Sequence, residues 1–150
     1  MKAELKNRKP KAGLLLIASP RFKNLYGPKR GTYGERKAEA VKGIKATMEF
    51  LDLVDPGIVY DREDATKAID MFFAEKVDFI YAEFLSWSED FAWIRFLRDC
   101  PGIPIIFCNV AKPKMTFETT LDEDDFVDYL CAGTLVGSLE GSGSIKRVPR

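Results

Sequence analysis

Four short apolar runs, each followed by a polar loop and a segment of helical periodicity, constrain this chain more than any other feature. Gly13-Leu14-Leu15-Leu16-Ile17-Ala18 is the first run, ended by Ser19-Pro20. A segment apolar at every position, rather than at every second one, suits a strand buried on both faces, as in a parallel sheet. Ala38, Val41, Ile44, Met48 and Leu51 then recur at helical spacing, which predicts an amphipathic helix over 35–54, stopped by Asp55-Pro56-Gly57. Ile58-Val59-Tyr60 reads as a second strand. Asp61 caps the next helix, with Glu63 and Asp64 in its positive first turn and Ala65, Ala68, Ile69, Phe72 and Phe73 as its apolar face. Val77 to Ala82 is the third strand. Ser86-Trp87-Ser88-Glu89 fits a capping box that opens a helix carrying Phe91, Ile94, Leu97 and Arg98. Pro101-Gly102 breaks it, and Ile103 to Asn109 is the fourth strand, with Pro104 at its start because proline cannot donate to a ladder. Asp122 caps a last long helix whose buried side is marked by Phe126, Tyr129, Leu130 and Gly133.

Strand and helix alternating in this way predict parallel strands joined by right-handed crossovers. The expected fold is α/β: one Rossmann-like (flavodoxin-like) three-layer domain with an open parallel sheet of about four to five strands. The chain of 150 residues is the length of one such domain. Residues 1–12 read as a basic flexible arm, 13–140 as the domain, and 141–150, glycine- and serine-rich and then basic, as a linker toward a following domain. Ligands of open α/β sheets bind at the carboxyl ends of the strands. That directs attention to the loops 19–34, 60–62, 83–88 and 109–120.

Composition removes whole classes of function. The sequence holds no histidine, so a Ser-His-Asp triad, a Cys-His pair and a histidine-ligated zinc site are all excluded on this chain. Lys+Arg 23 balances Asp+Glu 23, so the electrostatic footprint of a nucleic-acid binder is missing. No stretch approaches the roughly 18 apolar residues of a membrane span, and Met1 to Lys6 lack the apolar segment of a secretory signal. Cys100, Cys108 and Cys131 have no C-x-x-C spacing and read as buried small hydrophobes in a reducing compartment, which places the protein in the cytoplasm.

The remaining motifs are weak. Gly27-Pro28-Lys29-Arg30-Gly31-Thr32 lacks the spacing of a phosphate-binding loop and reads as a surface loop or subunit contact. Gly137 to Gly143 does not follow a strand, so it reads as a helix ending at glycine. Asp122-Glu123-Asp124-Asp125 lacks the alternation and turn glycine of a calcium loop; carboxylates in a first turn complement the helix dipole. No acidic cluster marks the end of the first strand, as a phosphoacceptor site requires, and Pro20-Arg21 does not supply a flavin phosphate loop. Phe84-Leu85-Ser86-Trp87 at a strand's carboxyl end suits either a sugar pocket, aromatic faces packing on C–H surfaces, or ordinary packing at a helix start.

Several stretches together resemble the L-fucose/L-arabinose isomerase-like family. Ser19 to Gly27 is similar to the Leu-Tyr-Gly loop after the first strand of L-arabinose isomerases, Phe84 to Ser88 to their Thr-Phe-Ser-Pro turn, and Leu121 to Gly137 with Gly141 to Arg147 to the helix and linker that follow. The resemblance covers about residues 13–150. It implies the N-terminal domain of an aldose–ketose isomerase, in which glutamates and a divalent metal, usually manganese, shift a proton between C1 and C2 of the open-chain sugar. In that family the glutamates and the metal-binding histidine lie in later domains. The resemblance therefore implies a chain inactive alone, with no cofactor of its own, sharing a sugar substrate with other domains in a homotrimer or homohexamer. By the Leu25-Tyr26-Gly27 register, Lys23 stands where arabinose isomerases place a substrate-contacting glutamine. Lys23, Tyr26, Phe84 and Trp87 are the residues the resemblance assigns to a substrate or subunit surface. The alternatives are a stand-alone flavodoxin-like module that binds a small molecule, and an assembly domain alone.

Overall fold

In the computed structural model, which describes residues 8–29, 31–88, 90–109, 122–132 and 134–146, Lys11–Ile17 forms strand β1 at the middle of a parallel sheet. On one side β1 pairs with β4 (Asp52–Val54) and β5 (Ile58–Val59). On the other it pairs with β6 (Phe79–Phe84), which pairs in turn with β7 (Ile105–Cys108). All these pairings are parallel. The predicted α/β fold with a parallel sheet of about five strands is therefore the observed one. The order β4/β5-β1-β6-β7 is flavodoxin-like.

The apolar run of β1 is buried on both faces, as its pattern required. Leu15 and Ile17 face a core shared with Ala65, Ala68, Ile69 and Phe72 of α2 (Arg62–Glu75) and with Ala92, Trp93, Phe96 and Leu97 of α3 (Phe91–Asp99). Leu14, Leu16 and Ala18 face the opposite core, with Tyr33 of α1 (Tyr33–Ala46) and Val127 of α4 (Glu123–Ala132). The last helix, α5 (Thr134–Ile145), packs against β6 and α3.

Several boundaries move. The helix expected over 35–54 ends at Ala46; Thr47 and Met48 donate to carbonyls only three residues back, and Asp52 then donates to Pro10 beside β1. Met48 and Leu51 kept the helical spacing because they still reach the core, but from turns. The backbone bonds of 52–54 belong to a strand the periodicity concealed. Asp55-Pro56-Gly57 interrupts this edge, with Gly57 N–H on Asp55 Oδ1 at 3.0 Å, so β4 and β5 are two pieces alongside one partner.

The α2 face is buried as expected at Ala65, Ala68, Ile69 and Phe72, with Phe73 at its exposed edge, whereas the faces of α3 and α4 are rotated. Phe73, Phe91, Ile94, Phe126 and Tyr129 are exposed, while Phe72, Ala92, Trp93, Phe96 and Val127 are buried. A shift of one position turns a helical side chain about 100°. The glycines of 137–143 do not end a helix: α5 runs on to Ile145, so 141–145 is not an extended linker. A Cβ on Gly141 would stand 2.7 Å from the Phe84 ring, so this glycine brings α5 onto the sheet. Residues 1–7 of the basic arm, Arg30, Glu89, the loop 110–121, Gly133, residues 147–150 and the Cys131 side chain lie outside the described residues.

Candidate functional site

The strand order reverses between β1 and β6. The connections leaving these two strands start toward opposite faces, and a crevice opens above their carboxyl ends. The loop after β1 carries a short 3-10 turn, Pro20–Phe22, and then a small antiparallel hairpin of β2 (Tyr26–Gly27) and β3 (Gly31–Thr32). The loop after β6 carries Leu85, Ser86 and Trp87.

Buried polar groups hold both loops. Lys37 of α1, 5% exposed, donates its ammonium to the Leu85 carbonyl. The Tyr33 hydroxyl shares a hydrogen bond with Ser86 Oγ, which also meets the Trp87 carbonyl at 3.0 Å. Leu85 N–H returns to Ile17 at 2.7 Å. Beneath them lies Glu83, which accepts the Tyr81 hydroxyl at 2.5 Å. Burial pushes the Glu83 carboxyl above its ordinary range, against the pull of Tyr81 and the Lys37 ammonium. Burial also raises the Tyr81 phenol and the Cys108 thiol beside it.

Ser86 thus serves as a buried anchor rather than as the capping residue the S-x-x-E pattern predicted. Asp90 occupies the cap position of α3, without a side-chain cap bond. The capping box of this protein is Thr32-x-x-Glu35, where Glu35 N–H donates to Thr32 Oγ1 at 3.2 Å and Thr32 N–H to the Glu35 carboxylate at 2.7 Å. These bonds hold the Glu35 carboxyl below its usual range.

The crevice is walled by rings and cations. Phe22 lies 5.7 Å from Trp87 and 6.0 Å from Tyr33, centroid to centroid, and the Arg21 guanidinium sits 5.9 Å over Trp87. Lys23 Nζ stands 4.7 Å over the Tyr60 ring, and the Arg62 guanidinium 5.2 Å over Phe91. On the α2/α3 side a cavity of about 370 Å³ opens, lined by Pro20, Tyr60, Asp61, Arg62, Glu63 and Phe91. A larger groove, about 610 Å³, lies at the other end of the sheet beside Arg8 and Lys11. Two of its cations are paired, Arg8 with Asp78 at 2.5 Å and Lys11 with Glu75 at 3.0 Å, and it sits at the amino ends of the strands, away from the edge where open α/β sheets bind ligands. The carboxyl-edge crevice is therefore the candidate site.

The four residues singled out from sequence separate. Lys23 and Trp87 both belong to the crevice. Tyr26 is exposed on the hairpin and lines a different groove with Phe126 and Val127. Phe84 is fully buried, edge-on to Trp93 and Phe107 at 5.8 Å each, so it is a core residue and no part of a surface. Strand alternation explains this: Phe84 follows Ala82 to the α3 face, whereas Glu83 faces α1.

Sequence reasoning pointed to the loop 60–62 without singling out Tyr60 or Arg62, read Phe91 only as part of a helix face, and missed the buried supports Tyr33, Lys37 and Glu83. It also missed what the Gly27–Thr32 loop does. Lys29 N–H donates to Asp124 at 2.9 Å, Lys29 Nζ to Asp122 at 2.7 Å, and Arg36 pairs with Asp124 at 2.6 Å. A Cβ on Gly27 would collide with both Arg36 and Asp124. The acidic run does fill the first turn of α4, but Asp124 is a buried anchor for the hairpin. Thr32-x-x-Glu35 was the signal available in the sequence; the ion pair, spanning 88 residues, left none.

Among the described residues no three His, Cys, Asp or Glu side chains come together to hold a metal ion. These residues do not fit manganese. No helix among them is long and apolar enough to cross a membrane. No protein-family model matches the chain, and no curated protein matches its sequence.

Proposed function

We propose that this chain is the N-terminal, substrate-side and assembly domain of a cytoplasmic aldose–ketose isomerase, without turnover of its own. The sugar lies between the crevice and further domains, which supply the acid–base glutamates and the manganese site, in a homo-oligomer. The reading is supported by one observation above others: Trp87 is presented at the strand-order reversal by a turn that Lys37, Tyr33 and Ser86 hold from beneath. A half-buried indole with the Arg21 guanidinium beside it matches how proteins grip sugars, the ring on C–H faces and a polar group on hydroxyls.

Titration of the full chain with a panel of aldoses, followed by ligand-observed NMR, tests this reading. Saturable millimolar binding is expected. Trp87→Ala should weaken it about tenfold, since loss of a stacked ring removes on the order of 1.4 kcal/mol. Trp87→Phe, which keeps a ring, should retain most of it. Absence of aldose binding, or aldose turnover by the chain alone with manganese, overturns the proposal.

A further inference from the structure

We infer that Glu83 is a proton-operated latch on the turn 85–87: with its carboxyl protonated the turn stays shut at the end of β6, and with the carboxyl ionised the turn loosens and Trp87 with it. This goes beyond the sugar-side reading, because the latch belongs to the chain's own turn and needs no ligand. Glu83 is the penultimate residue of β6 and only 3% exposed, and the turn begins two residues later. Buried groups hold that turn in place. The Leu85 carbonyl takes the Lys37 ammonium, Leu85 N–H reaches Ile17 at 2.7 Å, and Ser86 Oγ meets the Tyr33 hydroxyl.

An ionised carboxylate offers about four acceptor sites. Among the described residues Glu83 receives one hydrogen bond, from the Tyr81 hydroxyl at 2.5 Å. The Lys37 ammonium of α1 acts on it through space, but donates to Leu85 and lies 5.5 Å over the Tyr33 ring. Cys108 of β7 flanks Glu83 in register on one side and Leu16 of β1 on the other, and Val127 and Leu130 of α4 line the same core. Asp124, the buried carboxylate of α4, is tied to Arg36. Burial holds the Tyr81 phenol and the Cys108 thiol above their ordinary values, so Glu83 is the first of these three to change charge as pH rises. An under-bonded carboxylate is penalised in a dry pocket and stabilised by water. Of the pieces packed around it the turn is the easiest to lift, being neither helix nor strand and carrying the half-buried Trp87. Lifting it hydrates the carboxylate. The closed turn therefore binds the proton more tightly than the open one, and ionisation favours opening.

Acrylamide quenching of the full chain tests the latch. Trp93 is fully buried, so the quenching reports Trp87. Between about pH 4 and about pH 9 it should rise in one step whose midpoint lies above the ordinary carboxylate range. Over the same step the Leu85 N–H should lose hydrogen-exchange protection, corrected for the intrinsic pH dependence of exchange, while Leu14–Ile17 keep theirs. The loss should be about tenfold for each pH unit by which the closed turn raises the carboxyl. Glu83→Gln, which keeps the shape and cannot ionise, should hold both readouts at their low-pH values throughout. Tyr81→Phe, which removes the hydroxyl donor, should move the midpoint up by about one pH unit, the scale of one hydrogen bond to a charged group. Readouts that stay flat in the unaltered chain overturn the inference, as does a step that survives Glu83→Gln. So does a midpoint that Tyr81→Phe leaves in place or moves down. A loss of protection shared by Leu14–Ile17 overturns it in favour of global unfolding.

Discussion

Asp124 is 1% exposed, yet it carries a full charge satisfied by Arg36 and by the Lys29 amide. Removing one partner of such a pair strands the other, a loss of about 3–5 kcal/mol. Asp124→Ala should therefore lower the unfolding free energy from urea titration by that amount, through a lower midpoint at unchanged slope, and a loss under about 1 kcal/mol would place the pair among ordinary surface bridges. Glu83 offers a test with the opposite electrostatics. Its carboxyl titrates above the ordinary range when folded, so the native state keeps a proton that the unfolded chain has released. The contribution of Glu83 is whole below the unfolded value, about 4.3, and falls away as pH rises through the folded one. Asp78 and Asp122, held low by Arg8 and Lys29, act in the other direction and at lower pH, where stability is lost on acidification. Glu83→Gln should flatten the decline of stability above about pH 4. An unchanged pH profile in urea titrations would show that Glu83 does not titrate in this way.

At the scale of elements, α5 sets two effects against each other at Gly141. Alanine in a helix interior gains about 1 kcal/mol over glycine from propensity. The new methyl, however, would stand 2.7 Å from the Phe84 ring and 3.3 Å from Trp93 Nε1, whose N–H is already bonded to the Gly141 carbonyl at 2.9 Å. Overpacking of this kind costs typically 1–3 kcal/mol, and both rings are fully buried with little room to move. Gly141→Ala should therefore be net destabilising by about 1 kcal/mol. Net stabilisation in thermal melts would mean that α5 is free to shift off the sheet. Helix periodicity did not see this packing. It placed Phe126 and Tyr129 inward on α4, where Val127 is the buried residue, because amphipathic spacing is unchanged when the whole face turns by one position. The Asp61 cap was legible because its bonds to Glu63 and Asp64 are made within three residues.

For the whole molecule, β1 and β6 lie inside the sheet with helices over both faces, while β7 and β4/β5 stand outside them among the described strands. Native-state hydrogen exchange should find the slowest amides in Leu14–Ile17 and Ile80–Glu83, and faster ones in 58–59 and 105–108. Equal protection across all strands would mean that the sheet opens only as a unit. The α/β class and the parallel sheet were readable in advance, because they depend on apolar runs, caps and breakers that act within a few residues. The crevice's membership was not. Lys23 and Trp87 belong to it, but Phe84 turned into the core and Tyr26 toward α4. Tyr60 joined from just after β5, and Arg62 and Phe91 from the first residues of α2 and α3. Local patterns of burial and capping are written in neighbouring residues, so the chain alone determined what its elements are. Which side chains meet at the site depends on the rotation of each helix and the path of each loop after packing, so only the tertiary structure decided it.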